Sequence, residues 1–350
     1  MTRRADIAEV ARHARVSKST VSRVINGGYA SPEVRARVSK VIQKLAYTPW
    51  TTARNFSLGR AGCVGFVIED TQGQWIAQIL AGIEAELTSK HISLLVGSLV
   101  IREHYDATTV NSWVRERRVD GLVFARCGRH ERSVIDAARR AGIAVALISP
   151  DDDFTGVDVL RSDNVAAGRA VGQYLFDLGH RRIAFVGGQA RINATTFRDS
   201  VDSRQRLDGL SQALGEHGVK IPEQNVVFLR YHVDSGVEYA RRWLKIARSR
   251  APTAIVFGND AMAIGGLRTL LSQGVRIPED VSVVGFDDIP SASLVWPGLT
   301  TVRQEMSKMG ETACQLVRRA LERKTPGGAV HQFPVSLVVR ESTGRVPTGE

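Results

Sequence analysis

The chain of 350 residues is 43 % hydrophobic and 24 % charged, a globular composition that excludes wholesale disorder and allows about two or three domains. Its net charge of +11 is concentrated at one end: residues 1–61 contain 12 Lys and Arg against 3 Asp and Glu, whereas the other 289 residues contain 35 against 33. A small basic module therefore precedes a nearly neutral body. This asymmetry indicates that the N-terminus binds a polyanion, most simply nucleic acid.

The N-terminal residues, the apolar runs and the cysteines exclude a secreted, a membrane-spanning and a metal-binding protein. Acidic residues interrupt the first nine positions and no apolar segment follows them, which excludes a secretory signal. No run of about 18 apolar residues is present, so no membrane span is expected. Cys63, Cys127 and Cys314 are odd in number and far apart, which predicts buried free thiols without a disulfide or a metal site. We expect a cytoplasmic protein.

Three short helices are predicted in the basic module. Residues 6–9 have the spacing of a capping box, with Asp6 as the N-cap, and start a helix that runs to about residue 13. Ser17 can cap a second helix, and Ser31 followed by proline starts a third. Two short helices joined by a tight turn, with a third behind them, form a helix-turn-helix domain.

The second helix carries the polar side chains best suited to reading DNA. When Val21, Val24 and Ile25 face inward, the outward side chains are Lys18, Ser19, Ser22 and Arg23. None is acidic, and each can donate a hydrogen bond to a base edge or a phosphate. The alternative is a solvated surface of an ordinary helical domain, which the regional positive charge disfavours.

The order of motifs in this region resembles the lactose-repressor/galactose-repressor (LacI/GalR) family. The matching segments are residues 6–11, 16–27, 31–35 and 47–49. The resemblance implies that Lys18 and Ser19 occupy the two main base-reading positions and that Arg23 is a third reader. It also implies further DNA contacts, most of them to phosphates, at Thr20, Ser22, Asn26 and Tyr47.

Residues 50–61 contain few apolar side chains and by themselves predict a linker. The resemblance implies that this segment is a hinge that becomes helical on operator DNA, with Arg54 and Phe56 among its DNA contacts. Phe56 stands where the family usually has a leucine that is inserted into the minor groove. A phenylalanine can serve as such a wedge.

From residue 62 onward, predicted strands alternate with amphipathic helices. The apolar runs are at residues 64–68, 92–96, 121–125 and 144–148, then at 183–186, 226–229, 254–257 and 281–286. This alternation predicts parallel, doubly wound sheets, and two sets of four strands predict two similar subdomains. No Gly-rich dinucleotide fingerprint or P-loop follows a strand, so no cofactor is expected.

Ligands of open α/β sheets bind beyond the carboxyl ends of the strands. The candidate residues there are 149–153, Arg206, Tyr231, 259–260 and 287–288. An arginine, an amide, carboxylates and an aromatic ring suit a polyhydroxylated ligand. The alternatives are that Asn259 merely caps a helix and that Asp287 lies in a solvated turn.

The body resembles the same family over nearly its whole length. The matching segments are residues 178–188, 252–260, 278–288, 299–302 and 337–343. The resemblance implies effector contacts at Arg206, Asn259 and Asp287, stacking on Tyr231, and Trp75 on the opposite wall. Ser149 stands where the family often has Asp, and residues 189–205 form a longer segment than usual.

The resulting prediction is an all-α helix-turn-helix domain followed by an α/β core of two doubly wound parallel-sheet subdomains, as in periplasmic binding proteins. The domains are expected at residues 1–49, a hinge at 50–61, the core at 62–345 and a tail at 346–350. Within the core, the N-subdomain is expected at about 62–161 and 290–325, and the C-subdomain at about 162–289 and 326–345.

The predicted function is sequence-specific DNA binding by a transcription repressor whose operator affinity is controlled by a sugar or sugar derivative. A purine or other non-sugar effector is the alternative within this class, and a transport-type sugar-binding protein is the alternative outside it. An enzyme is not expected, because no Gly-x-Ser-x-Gly elbow occurs. The histidines of the body, at 104, 130, 180 and 217, fall in predicted polar loops or helix ends, where solvation is expected.

A homodimer without a membrane partner is expected, since paired recognition helices read two-fold symmetric sites. The predicted contact surfaces are the helical stretches around 78–85 and 263–270, which could instead pack within one subunit. The tail has no leucine heptad, which favours a dimer over a tetramer.

Overall fold

The computed structural model of the chain forms two compact units, residues 1–62 and 63–350. The structure describes residues 5–25, 28–47, 60–69, 73–101, 104–191, 196–323 and 327–346. Among these residues, no helix is both long enough and apolar enough to cross a membrane.

The first unit contains three helices, α1 (Ile7–Ala14), α2 (Lys18–Ile25) and α3 (Pro32–Lys44). The capping box is present, because the Asp6 carboxylate accepts a hydrogen bond from the Glu9 amide at 2.8 Å. The Ser17 and Ser31 hydroxyls accept hydrogen bonds from amides in the first turns of α2 and α3. The predicted helix-turn-helix arrangement is confirmed.

The second unit alternates strands and helices. Its strands are β1 (Cys63–Ile68), β2 (Ser93–Ser98), β3 (Val100–Ile101), β4 (His104–Tyr105), β5 (Gly121–Ala125), β6 (Ala144–Ile148), β7 (Asp158–Ser162), β8 (Ile183–Arg191), β9 (Phe197–Asp199), β10 (Val226–Arg230), β11 (Ala254–Phe257), β12 (Ser282–Val284), β13 (Thr301–Gln304), β14 (Val330–Phe333) and β15 (Val335–Val338). Its helices are α4 (Gln74–Thr88), α5 (Thr108–Arg115), α6 (Arg132–Arg140), α7 (Asn164–Asp177), α8 (Val201–Gly215), α9 (Val233–Trp243), α10 (Asp260–Ser272) and α11 (Met306–Arg323).

Two parallel sheets define two lobes. The first sheet has the strand order β14-β7-β6-β5-β1-β2, and the second has the order β10-β8-β11-β12. Strand β9 is antiparallel to β8, and β13 pairs with β15. Helices cover the sheet faces, which explains why β1, β5 and β11 are buried along their whole length. The two doubly wound sheets predicted from the sequence are confirmed.

The chain crosses between the lobes at three places, and two of them differ from the expected boundaries. The first crossing lies between β7 and α7. The second lies near residue 305 and not at 290, because β13 adjoins the second lobe through bridges to Val284 and Asp287. The third lies near residue 334 and not at 326, because β14 pairs with β7 of the first sheet.

His180 is the histidine for which the expected solvation is wrong. Its side chain is fully buried, with Nδ1 at 3.0 Å from the Thr253 hydroxyl and Nε2 at 3.1 Å from the Ser282 hydroxyl and 3.0 Å from the Gly344 carbonyl. Burial lowers the pKa of this imidazole, so the neutral form is favoured. His180 therefore ties the segment after β15 to the second lobe.

Candidate DNA-binding and effector sites

The recognition helix α2 presents its polar residues away from the helical core. Val21 and Val24 are buried, whereas Lys18, Ser19 and Arg23 are exposed. Thr20 and Ser22 are half-buried. The exposed set contains two cations and one hydroxyl, which are donors suited to base edges and phosphates.

The other expected DNA contacts divide into two groups. Tyr47 is half-buried and packs against the core of the three helices. Asn26, Arg54 and Phe56 lie outside the described residues. Tyr29, which is absent from the residues expected from the sequence, is 90 % exposed in the connection between α2 and α3.

Arg206 on α8 lies at the carboxyl edge of the second sheet. Its guanidinium donates hydrogen bonds to three neutral acceptors: the Asn164 side chain at 2.8 Å, the Gly258 carbonyl at 2.6 Å and the Gln304 side chain at 3.4 Å. The residue is 4 % exposed. The guanidinium therefore lies at the edge of the sheet where ligands of this architecture bind.

Asp287 is joined to Arg206 through a shared neighbour. The amide of Gln304 donates a hydrogen bond to the Asp287 carboxylate at 2.6 Å. Burial raises the pKa of Asp287 to about 6, against the opposing effects of Arg206 and Arg126. Its φ of 115° bends the backbone after β12. Asp287 is therefore a buried part of the site, and the solvated-turn alternative is wrong.

Asn259 caps α10, as the structural alternative proposed. Its side-chain oxygen accepts a hydrogen bond from the Met262 amide at 2.9 Å. No described residue accepts a hydrogen bond from its amide nitrogen, which leaves that group for a ligand. Ser149 lies at the carboxyl end of β6, and its hydroxyl makes no hydrogen bond to a described residue.

Tyr231 is held rigidly by the second lobe. Its hydroxyl lies 2.7 Å from that of Ser203 and donates to that of Ser200 at 3.1 Å. The ring lies directly on the backbone of Gly188, where a Cβ atom would come within 2.2 Å of ring carbons. Only glycine fits there, so Gly188 has a specific role in the placement of Tyr231.

Arg126 is a central cleft residue that was not expected from the sequence. It directly follows β5 with a φ of 52°, and its amide donates to the Ile148 carbonyl at 2.9 Å. Its guanidinium carbon lies 4.1 Å from the ring centroid of Tyr231 and 5.8 Å from that of Trp75. Arg126 therefore lies close to both aromatic side chains that the sequence analysis placed on opposite walls of the cleft, Tyr231 and Trp75. Its position after a buried strand is the signal that could have identified it.

The described residues of the long segment 189–205 contact the first lobe across the cleft. Strands β8 and β9 form a hairpin whose Arg191 lies 3.4 Å from Glu69, at the end of β1 in the first lobe. Arg198 of the same hairpin pairs with Asp152 at 3.2 Å, and it also donates to the Asp151 carbonyl. Acidic residues after β1 and β6 thus hold basic residues of the opposite lobe.

The side chains of the cleft have the chemistry of a ligand-binding site. Among the described residues, no group of three or more His, Cys, Asp or Glu side chains could hold a metal ion. All three cysteines are free and buried, as predicted. The cleft offers guanidinium, carboxyl, amide and aromatic groups, all of which can contact a small ligand.

Comparison with known protein families gives two matches. Residues 6–49 match the model of the lacI family of bacterial regulatory proteins. Residues 173–343 match the model of a periplasmic binding protein-like domain. These ranges cover the helix-turn-helix unit and most of the second lobe.

Similar proteins extend the match to nearly the whole chain. The transcriptional regulator DegA of Bacillus subtilis is 30 % identical over 348 residues, which cover 98 % of this chain and 99 % of DegA. The structure of the lac repressor dimer bound to operator and an anti-inducer is 25 % identical, with a TM-score of 0.82 and coverage of 98 % and 100 %. A complex of the regulator CelR with cellobiose is 28 % identical, with a TM-score of 0.69 and coverage of 97 % and 100 %.

Sequence, fold and site geometry lead to the same assignment. The chain begins with a basic helix-turn-helix unit, continues with two parallel-sheet lobes, and matches regulators along its full length. It belongs to the LacI family of bacterial regulatory proteins and is a DNA-binding transcriptional regulator, not an enzyme.

Proposed function

We propose that this regulator is a cytoplasmic repressor that binds operator DNA as a homodimer and releases it in response to a sugar or sugar derivative bound between its lobes. The observation that carries the effector site is the continuous set of hydrogen bonds from Arg206 through Gln304 to Asp287. These groups lie at the carboxyl edge of a parallel sheet, where ligands of this architecture bind.

The chemistry of the cleft favours a polyhydroxylated ligand. Hydroxyl groups can both donate to a carboxylate such as Asp287 and accept from donors such as Arg206 and the free amide of Asn259. The half-buried ring of Trp75 supplies a flat apolar surface for the C–H face of a sugar, and Tyr231, whose ring contacts Gly188 and Arg126, borders the same cleft. The cellobiose complex of the similar regulator CelR supports the same ligand class.

Control of DNA binding follows from the architecture. A ligand that contacts both lobes changes the angle between them, and we propose that the hinge at residues 50–61 transmits this change to the paired helix-turn-helix units. In the DNA-bound form, Phe56 of each subunit enters the minor groove at the centre of the operator. The ligand and the DNA bind at two different sites, and both then shift the same equilibrium between lobe arrangements.

The recognition residues can be tested on an operator selected from random duplexes. Lys18→Ala and Arg23→Ala should each cost about 1–3 kcal/mol on the selected site and relax its sequence preference, because base-edge hydrogen bonds are lost. Arg37→Ala, which removes an exposed cation from α3, is the matched control. Gel shifts on selected and scrambled DNA give the comparison. Equal losses on both duplexes would reassign the two residues to phosphate contacts.

The effector site can be tested by calorimetry of the full chain with a panel of sugars and nucleobases. Arg206→Ala and Asp287→Ala should abolish the binding of the active compound and leave operator affinity unchanged. Asn259→Ser keeps a capping oxygen, so it should weaken binding without unfolding α10. Arg204→Ala, on an exposed position of the same helix as Arg206, is the control. Unchanged ligand affinity in all three site variants would contradict the assignment, and binding of nucleobases alone would favour the purine alternative.

The dimer face is best supported by exposed apolar residues in the second lobe. Leu294 and Trp296 are 81 % and 79 % exposed, which is costly for large apolar side chains unless a partner covers them. On α4, the alanines 77, 81 and 85 form an exposed stripe that another helix can approach closely. On α10, Ala263, Leu267 and Leu270 are buried inside the subunit, so only the flanking positions can contribute.

Trp296→Glu should convert the dimer into a monomer, since it places a charge at a desolvated contact. Val330→Glu introduces the same change at another exposed apolar side chain and is the control. Sedimentation velocity distinguishes the two species. A wild-type monomer, or a Trp296→Glu variant that remains dimeric at micromolar concentration, would contradict the proposed face.

A further inference from the structure

We propose that Asp151 is a latch between the lobes. Its carboxylate belongs to the first lobe and caps the first turn of α8 in the second lobe, and this contact holds the cleft closed and helps to orient Tyr231. The inference deepens the proposed function, on which it rests for the movement of the lobes in response to an effector. It adds the contact that this movement breaks.

The first observation is that the first lobe fixes the position of Asp151. The residue follows β6, and its amide donates a hydrogen bond to the Cys127 carbonyl, which follows β5, at 2.8 Å. One oxygen of its carboxylate lies 3.9 Å from the Arg126 guanidinium and forms an ion pair with it. Only 6 % of the residue is exposed. Backbone and side chain are both anchored, so Asp151 moves with the first lobe.

The second observation is that the other carboxylate oxygen of Asp151 binds the second lobe. It accepts a hydrogen bond from the amide of Val201, the first residue of α8, at 3.1 Å. Amides at the start of a helix have no partner within it, and the helix dipole favours a carboxylate there. Burial raises the pKa of Asp151, whereas Arg126 and hydrogen bonds from Val201 and Ser200 lower it. The second lobe therefore supplies part of what keeps this buried carboxylate charged.

The third observation is that Ser200 connects Asp151 to the effector site. Its hydroxyl accepts hydrogen bonds from the Tyr231 hydroxyl at 3.1 Å and the Ser203 amide at 3.4 Å, which leaves its single hydrogen for Asp151. The Ser203 hydroxyl lies 2.7 Å from that of Tyr231. Arg206 is on the same helix one turn later. Asp151 thus contacts the turn that orients Tyr231, and separation of the lobes removes it from this network.

The fourth observation is that Arg198 makes a second link at the same place. It lies on β9, two residues before Ser200, and donates a hydrogen bond to the Asp151 carbonyl. It also pairs with Asp152 at 3.2 Å. The junction between β9 and α8 is therefore held by both the backbone and the side chain of Asp151.

The distance between the lobes tests the latch without any effector. All three native cysteines are buried, so spin labels can be directed to Ser133→Cys on α6 and Ser211→Cys on α8, both at exposed positions. Arg132 donates a hydrogen bond to the Asp153 carbonyl at 2.7 Å, so the first turn of α6 moves with the residues around Asp151. Double electron–electron resonance measures the label distance, and dilution with unlabelled protein isolates the pair within one chain.

Asp151→Ala and Arg198→Gln should each shift the label distance to longer values, because each removes a contact that only the closed arrangement makes. Asp151→Asn keeps an oxygen that can cap α8, so it should retain the wild-type distance.

Two control variants remove the same kinds of contact within one lobe. The Asp106 carboxylate accepts a hydrogen bond from the amide of Thr108, the first residue of α5, at 2.7 Å, and Asp106→Ala removes this cap. Arg204 on α8 pairs with Asp199 of its own lobe, and Arg204→Gln removes this ion pair. Neither variant should change the label distance.

Effector affinity gives a second readout, measured by calorimetry with the active compound of the sugar and nucleobase panel. Asp151→Ala should weaken binding at least about 5-fold, because loss of a cap lowers the fraction of closed protein that is competent to bind. Asp151→Asn should stay within about 2-fold of wild type.

Several results would overturn the inference. An unchanged label distance in both Asp151→Ala and Arg198→Gln, or an equal shift in the controls, contradicts the latch. Asp151→Asn behaving like Asp151→Ala would assign the role to the ion pair with Arg126 instead of the cap. A longer distance without weaker effector binding would contradict the link to the effector site.

Failure of the proposed function gives a different result. If the label distance lengthens as expected but no compound of the panel binds the wild-type protein, the latch stands and the sugar or nucleobase effector fails.

Discussion

Buried charged side chains of one lobe need partners on the other lobe, and this requirement is the main physical constraint on the cleft. A guanidinium or carboxylate removed from water costs several kcal/mol unless an opposite charge or good hydrogen bonds replace its hydration. Glu69 obtains its partner, Arg191, from the opposite lobe, and Asp152 obtains Arg198 in the same way. Arg126 contacts the Tyr231 ring of the second lobe and pairs with Asp151 of its own lobe. The free energy of bringing the lobes together therefore depends in part on how well these charges are matched across the gap.

This shared balance suggests a way in which the proposed effector can control the angle between the lobes. A molecule that supplies acceptors or charge between the lobes changes the free energy of closure. The ion pairs of β8 and β9 with the first lobe are contacts that the two lobes lose if they separate. A ligand shifts that equilibrium only by its difference in affinity for the two arrangements.

The sequence predicts the parts of the molecule whose causes are local. The caps at Asp6, Ser17 and Ser31 and the strand–helix alternation follow from spacing within a few residues, and the structure contains them. Features that depend on distant partners were not predictable in this way. His180 is buried because its partners come from segments 73, 102 and 164 residues away. Arg126 follows a strand as other site residues do, but no local pattern places its guanidinium over the ring of a residue on the other lobe. The lobe boundaries depend in the same way on which strand β14 pairs with.

The central claim is that occupancy of the cleft and binding of DNA are coupled, and reciprocity tests this claim most directly. The active compound from the sugar panel is titrated into the full-length protein with and without saturating operator, and operator affinity is measured with and without that compound. Linkage requires both affinities to change by the same factor, and a typical coupling would be about 5- to 150-fold. We predict that operator DNA weakens effector binding by the factor by which the effector weakens operator binding. An effector affinity that is the same with and without operator DNA would contradict the account.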